Sequence, residues 1–422
     1  MKRSICSLVC AIVLCVAVMQ AQTTREDFIK HPDYAGGLYH PYIHETAVAT
    51  AAPAGYVPFY ISHYGRHGSR WLLSTNVYAV PDSVLGAAQR AGVLTPLGKS
   101  LYERLTVAAA DVADRYGDLS PLGVREQRGI AERMVGSFPE VFSTKNGRQC
   151  IIRSRSTQVP RCILSMAAHN ERLKELNPEI RTARNATKRD RYLNNDPVID
   201  RDTVRALVAA FRARHVKPDR FIASLFTDAV YAREHIRDQT EFVDLVFQAA
   251  VNMPNLDHLH VSLMDVFTPD EIFTLWQASN LYMYLLLGPS PVNGASAMRS
   301  AALLLKDMVD CAESAIAGTG VSADLRFGHD SYIIPLQALM DLKGMNVAEP
   351  DPEKVYGAWC NFQVSPMGAN VQMIFYRSPG STDVLVKFLQ CEKETSIPVP
   401  TDVAPYYHWK DVRAYYLKKI AG

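Results

Sequence analysis

The chain has 422 residues, of which 48% are hydrophobic and 21% charged. That is enough apolar material for one large domain with an insertion, or for two domains. The formal net charge is only +2, and Lys2 and Arg3 belong to a leader, so the balance excludes a general nucleic-acid binder, which needs a strong basic excess.

Lys2 and Arg3 are followed by an apolar run from Ile5 to Met19 and then by Gln20-Ala21-Gln22. This order reads as a secretory leader over residues 1–21, cleaved after Ala21 and too short for a membrane span. It implies an exported protein, periplasmic or secreted, with no stable membrane anchor once the leader is removed. Cys6, Cys10 and Cys15 go with the leader. Cys150, Cys162, Cys311, Cys360 and Cys391 remain, an odd set for which the sequence assigns no pairing.

Residues 23–55 contain Pro32, Gly36, Gly37, Pro41 and Pro53 and read as irregular. The apolar run Tyr56 to Ile61 reads as a strand, and Arg66-His67-Gly68-Ser69-Arg70 follows it. Helical patterns come next, over Thr95 to Tyr116 and over Pro121 to Met134, the latter with Ser120 as N-cap. Leu94-Thr95-Pro96-Leu97-Gly98 and Leu119-Ser120-Pro121-Leu122-Gly123 echo each other as helix starts.

A second strand is expected over Gln149 to Arg153, ahead of Ser156-Thr157-Gln158-Val159-Pro160-Arg161. From about 166 to 320 the sequence reads as helix after helix, with Thr268-Pro269-Asp270-Glu271 a strong helix start. Leu325 to Phe327 reads as a strand leading into Gly328-His329-Asp330-Ser331. Asn370 to Tyr376 and Val384 to Gln390 read as a hairpin turning at Ser378-Pro379-Gly380-Ser381. Tyr406-Tyr407-His408-Trp409 reads as packing.

Strands separated by helices favour a mainly parallel sheet, and such sheets bind ligands at the carboxyl ends of their strands. Three strand ends therefore deliver two histidines, several arginines and one aspartate to one edge. Guanidinium groups beside an imidazole disfavour its charged form, and a neutral imidazole is a nucleophile. The same groups offer forked donors that match phosphate oxygens. The pairs His63/His67, His40/His44 and His258/His260 lack a third or fourth ligand, so none is expected to bind a metal.

In type, order and spacing, the segments at 66–70, 156–161 and 329–330 resemble the histidine acid phosphatases, the branch of the histidine phosphatase superfamily that includes phytases. Leu325 to Leu336 and Ser365 to Tyr376 resemble the multiple inositol polyphosphate phosphatases in particular. That subgroup usually has alanine and glutamate after the second histidine, where this chain has Asp330. The resemblance implies an α/β fold of the phosphoglycerate mutase type, a mainly parallel sheet with flanking helices plus an α-helical cap. The α/β domain would comprise residues 22–165 and 320–422, and the cap 166–319.

By the same resemblance His67 attacks phosphorus and Asp330 protonates the leaving alkoxide. Arg66, Arg70, Arg161 and His329 hold the phosphoryl group, and no metal or cofactor is required. The partner is a small-molecule phosphate monoester, with phytate favoured and glucose 1-phosphate next; oligomeric state is left open. The basic cluster Arg181, Arg184, Lys188 and Arg189 is a candidate contact for further phosphates, against the plainer reading of a solvated face. A non-catalytic phosphate-ester-binding protein on the same fold is the other class.

Overall fold

The computed structural model describes residues 23–45, 49–193 and 197–422, so the leader expected over residues 1–21 lies outside the described residues. Among the described residues eight strands form one sheet: β1 (Val57–Arg66), β2 (Ile151–Ser156), β3 (Arg181–Asn185), β4 (Val321–Gly328), β5 (Asn370–Arg377), β6 (Val384–Gln390), β7 (Lys393–Thr395) and β8 (Tyr406–His408). Their order is β3-β2-β4-β1-β5-β6-β7, with β8 paired to β6. The site-bearing strands β3, β2, β4 and β1 run parallel. From β5 onward the pairings are antiparallel.

β1 is the central strand, and every residue from Pro58 to Arg66 is buried. Burial on both faces explains why it reads as a continuous apolar run rather than an alternating one. Tyr60 and Tyr64 enter one core, and Ile61 enters a second core on the opposite face. Full burial of side chains of this size is worth roughly 1.5–3 kcal/mol each.

Both echoed helix starts are present. Thr95 and Ser120 accept from the backbone N–H of Gly98 and Gly123, each with proline at the first helical turn. The echo extends to packing. A Cβ on Gly98 would lie 2.3 Å from the Leu225 carbonyl oxygen, and one on Gly123 would lie 2.2 Å from that of Ser69. At both places glycine lets a helix start press against passing backbone. Thr268 and Glu271 form the expected capping box at the start of the helix Pro269–Leu287. That helix ends in the apolar residues 281–287, and no described helix is long and apolar enough to cross a membrane.

The segment 166–319 is not uniformly helical, because β3 falls inside it and extends the parallel sheet beside β2. The helical layer also has a different composition from the one expected. Its core joins Leu85, Leu101 and Leu105, which precede β2, to Phe221, Phe242 and Trp276. Helices from two stretches of chain share one apolar interface, so a single contiguous insertion does not describe it. Tyr406, Tyr407 and Trp409 are buried in the cores, as packing residues.

Candidate active site

β2, β4 and β1 are neighbours, and Arg66 is in register with Gly328 while Ser156 is in register with Phe327. Residues following these positions therefore emerge side by side at one sheet edge. Three helices begin at the same edge: Pro121–Ser137, Pro160–Leu176 and Asp330–Leu339. Their amino ends contribute partial positive charge to it.

His67 is 1% exposed. Its Nδ1 lies 2.8 Å from the Gly68 carbonyl oxygen. A carbonyl can only accept, so Nδ1 carries the proton and Nε2 carries the lone pair. Burial, then Arg66, Arg70, Arg161 and His329, hold the ring's pKa well below its ordinary value. The flanking arginines thus act as the sequence suggests, but burial is the larger cause. The backbone is held too: His67 N donates to Gly328 O at 3.0 Å, and Gly368 N donates to His67 O at 3.0 Å.

Arg66 is fully buried. Its Nη1 donates to the carbonyls of Leu38 and Ser365, both at 2.6 Å, and its Nη2 donates to Asp330 Oδ2 at 2.8 Å. Arg161 lies in the first turn of the helix Pro160–Leu176. Its Nη2 is 3.5 Å from His329 Nδ1, and His329 Nε2 is 3.1 Å from Thr157 Oγ1. An arginine only donates, so Nδ1 accepts and the Nε2 proton goes to Thr157. Burial first, and Arg161 next, push the His329 pKa down to about 4. Its ring meets that of His67 edge-on, with centroids 5.7 Å apart.

Asp330 carries opposing effects. Burial alone would raise its pKa, but Arg66, Arg70 and His329 outweigh it and the net direction is down. Its Oδ1 accepts from Ser331 N at 2.8 Å. Arg66, Arg70 and Arg161 each leave a buried Nε without a hydrogen-bond partner among the described residues. Three guanidinium groups thus converge, with Asp330 the carboxylate within hydrogen-bond reach of one of them. The arrangement has spare donors and uncompensated positive charge, which is what an oxyanion requires.

The loop at 66–70 rests on supports that sequence reasoning missed. Glu126 is 7% exposed and accepts from Ser69 N at 2.6 Å, from Ser69 Oγ at 2.8 Å and from Tyr42 N at 2.8 Å. Gln127 Nε2 donates to Arg66 O at 3.0 Å. A Cβ on Gly68 would lie 2.4 Å from Gly123 O, so these two glycines let the helix start touch the loop. The available signal for Glu126 and Gln127 was two polar residues placed on the buried side of a capped helix. Thr157 lies inside the 156–161 segment, where nothing in the sequence marks it as the partner of His329.

The basic cluster is spread along an edge strand. β3 runs parallel to β2, so its carboxyl end, near Arg184, lies at the site edge, and Lys188 and Arg189 follow in the next loop. Arg181 is at the amino end, in register with Ile151, about 13 Å away along the strand. All four side chains are exposed. His63 faces away from the site toward His169, with ring centroids 5.9 Å apart. Among the described residues no group of three or more His, Cys, Asp or Glu is arranged to hold a metal ion. Cys150, Cys162, Cys311 and Cys391 are free thiols.

No family model and no curated protein matches the sequence. Solved structures do match. The multiple inositol polyphosphate phosphatase of Bifidobacterium longum, in complex with inositol hexasulfate, superimposes with TM-score 0.74 at 18% identity, over 91% of this chain and 97% of that one. The phytase of D. castellii gives TM-score 0.63 at 14% identity, over 92% and 85%. Hafnia alvei phytase in its apo form gives 0.52 at 12% identity, over 87% and 98%. The chain shares their fold. The likeness spans the sheet and the helical layer alike, since it covers nearly all the described residues.

Proposed function

We propose that the protein is an exported phosphomonoesterase that works through a phosphohistidine, with inositol polyphosphates such as phytate as its substrate class. The observation that carries this reading is His67: a neutral ring with Nδ1 committed to a carbonyl, Nε2 free, and three arginines with spare donors around it.

The Nε2 lone pair attacks phosphorus and forms a P–N bond. The P–O bond to the substrate alkoxide breaks, and the departing oxygen takes its proton from Asp330. Arg66, Arg70, Arg161 and His329 stabilise the phosphoryl oxygens. Water then attacks phosphorus and gives its proton to Asp330. The P–N bond breaks, and the lone pair returns to His67 as phosphate leaves. Arg184, Lys188 and Arg189 at the site edge favour a substrate with several phosphates. The Bifidobacterium neighbour's inositol hexasulfate complex supports the same class. The leader-like segment over residues 1–21 supports export.

The test is release of phosphate from p-nitrophenyl phosphate and from phytate at about pH 5 without added metal, where general-acid chemistry by a carboxyl is expected to operate. His67→Ala should abolish it. A folded wild-type sample that releases nothing from either compound would leave a phosphate-binding protein, and a fully active His67→Ala would refute the phosphohistidine.

A further inference from the structure

The two arginines flanking the nucleophile are held differently. Arg66 has two carbonyls and a carboxylate. Arg70 is 4% exposed, yet its only side-chain hydrogen bond among the described residues is from Nη1 to the adjacent Trp71 carbonyl at 2.8 Å. Among the described residues no ion pair fixes it, and its Nε is unpartnered. What covers its guanidinium is an aromatic ring: Arg70 Cζ lies 5.2 Å from the centroid of Tyr39.

Tyr39 sits in a stretch the sequence marks only as irregular, and that stretch is tied down at consecutive residues. Gly37 has φ +53, and a Cβ there would lie 2.9 Å from Asn361 Nδ2, so the turn needs glycine. The Leu38 carbonyl holds Arg66 at 2.6 Å, the Tyr39 carbonyl accepts from Asn255 Nδ2 at 2.6 Å, and the His40 carbonyl accepts from Met367 N at 2.9 Å. Asn252, three residues before Asn255, donates to the Arg70 carbonyl at 3.1 Å. Upstream, Tyr34 stacks on Phe362 at 4.3 Å and Phe28 is buried against Trp276. The strap 37–40 is therefore anchored at both ends and lies across both clamps.

We infer that Tyr39 is a positioning residue for Arg70, its ring face directing the guanidinium toward the phosphoryl group while the neighbouring Leu38 carbonyl sets Arg66. The inference rests on the phosphatase reading of the same site. A ring face orients a cation without neutralising it, whereas a carboxylate would compete with the substrate for the same donors.

The experiment is a double-mutant cycle over Tyr39→Leu and Arg70→Ala, with Tyr39→Phe as the conservative control. The readouts are KM and kcat on p-nitrophenyl phosphate and calorimetric binding of inorganic phosphate, with thermal melts to check folding. Tyr39→Leu should raise KM and weaken phosphate binding by about five- to thirty-fold, the range of a desolvated cation–π contact. Tyr39→Phe should stay within about two-fold of wild type, and in the Arg70→Ala background Tyr39→Leu should add nothing further. A folded Tyr39→Leu with unchanged phosphate affinity, or effects that add across the cycle, would overturn the inference. So would a Tyr39→Phe as impaired as Tyr39→Leu, since the hydroxyl would then be acting. Phosphate binding reads the positioning even if the wild type turns nothing over, so failure of the catalytic reading stays distinguishable.

Discussion

Asp330→Asn separates proton donation from phosphate binding. In the wild type Oδ1 accepts from Ser331 N at 2.8 Å, and Oδ2 accepts from Arg66 Nη2 at 2.8 Å. An asparagine can keep the first contact through its carbonyl. Its amide nitrogen then meets Arg66, donor against donor, a mismatch costing about 1–3 kcal/mol. That cost falls on the free protein and is relieved alike by any phosphate that takes over Arg66, whatever its leaving group. Loss of the proton donor is selective. An alkoxide leaves poorly without a proton, and the donor is worth about 10²–10⁴-fold, or about 3–5 kcal/mol. A nitrophenolate leaves readily as the anion and gains little from it. The assay is kcat/KM for phytate, glucose 1-phosphate and p-nitrophenyl phosphate with both proteins at about pH 5, near the working range of a carboxyl acid. The expected result is a loss of about a hundred-fold or more on the two alkyl esters relative to the aryl ester. An equal loss on alkyl and aryl esters would refute Asp330 as the donor.

The Lys188→Ala/Arg189→Ala double variant should raise KM for phytate by about two- to five-fold and leave glucose 1-phosphate unchanged, because exposed charges are each worth only a fraction of a kcal/mol. Arg181→Ala, at the far end of β3, should change neither; a larger effect from Arg181 than from the pair would show that the loop does not meet substrate. Among the described residues neither ring nitrogen of His169 has a partner, and burial pushes its pKa down to about 3 from the ordinary 6.5. The unfolded chain then binds a proton that the folded chain refuses, so stability should fall as pH drops from about 6.5 toward 3. His169→Phe, packed on Phe327, should flatten the decline of melting temperature below pH 6.5, and an unchanged slope would remove His169 as a cause.

Strand ends and motifs were legible because the same short segments carry both signals. The apolar run before Arg66 makes the strand, and the polar residues after it make the chemistry. β3 was not legible: Arg-Thr-Ala-Arg-Asn holds one β-branched residue and shows no alternation of burial, as an exposed edge strand can. The strap over 37–40 was hidden for another reason. It holds Arg66 through the Leu38 carbonyl, and Ser365 does the same from across the fold. Every residue has a carbonyl, so residue identity carries no trace of that role. The His67 pKa shows the same limit. Its arginine neighbours are visible in the sequence, but burial, the larger cause, appears only once the chain is folded.

The contact between Arg66 and Asp330 resolves a conflict within the proposed mechanism. A general acid must carry a proton, yet Arg66 and Arg70 hold the Asp330 pKa below its ordinary value despite burial. Arg66 does not depend on Asp330 for its place, because the Leu38 and Ser365 carbonyls occupy its other nitrogen. A phosphate that draws the Arg66 fork can thus take over the donor that Asp330 uses without releasing the side chain. It also brings negative charge next to the carboxyl. Both effects favour protonation of Asp330, and both occur only with substrate bound. In the proposed mechanism the free protein keeps the carboxylate as a counter-ion for its clamp, and the substrate converts it into an acid. Two carbonyls under one guanidinium make that exchange possible. A carboxylate in their place would neutralise the clamp permanently and leave the phosphate nothing to displace.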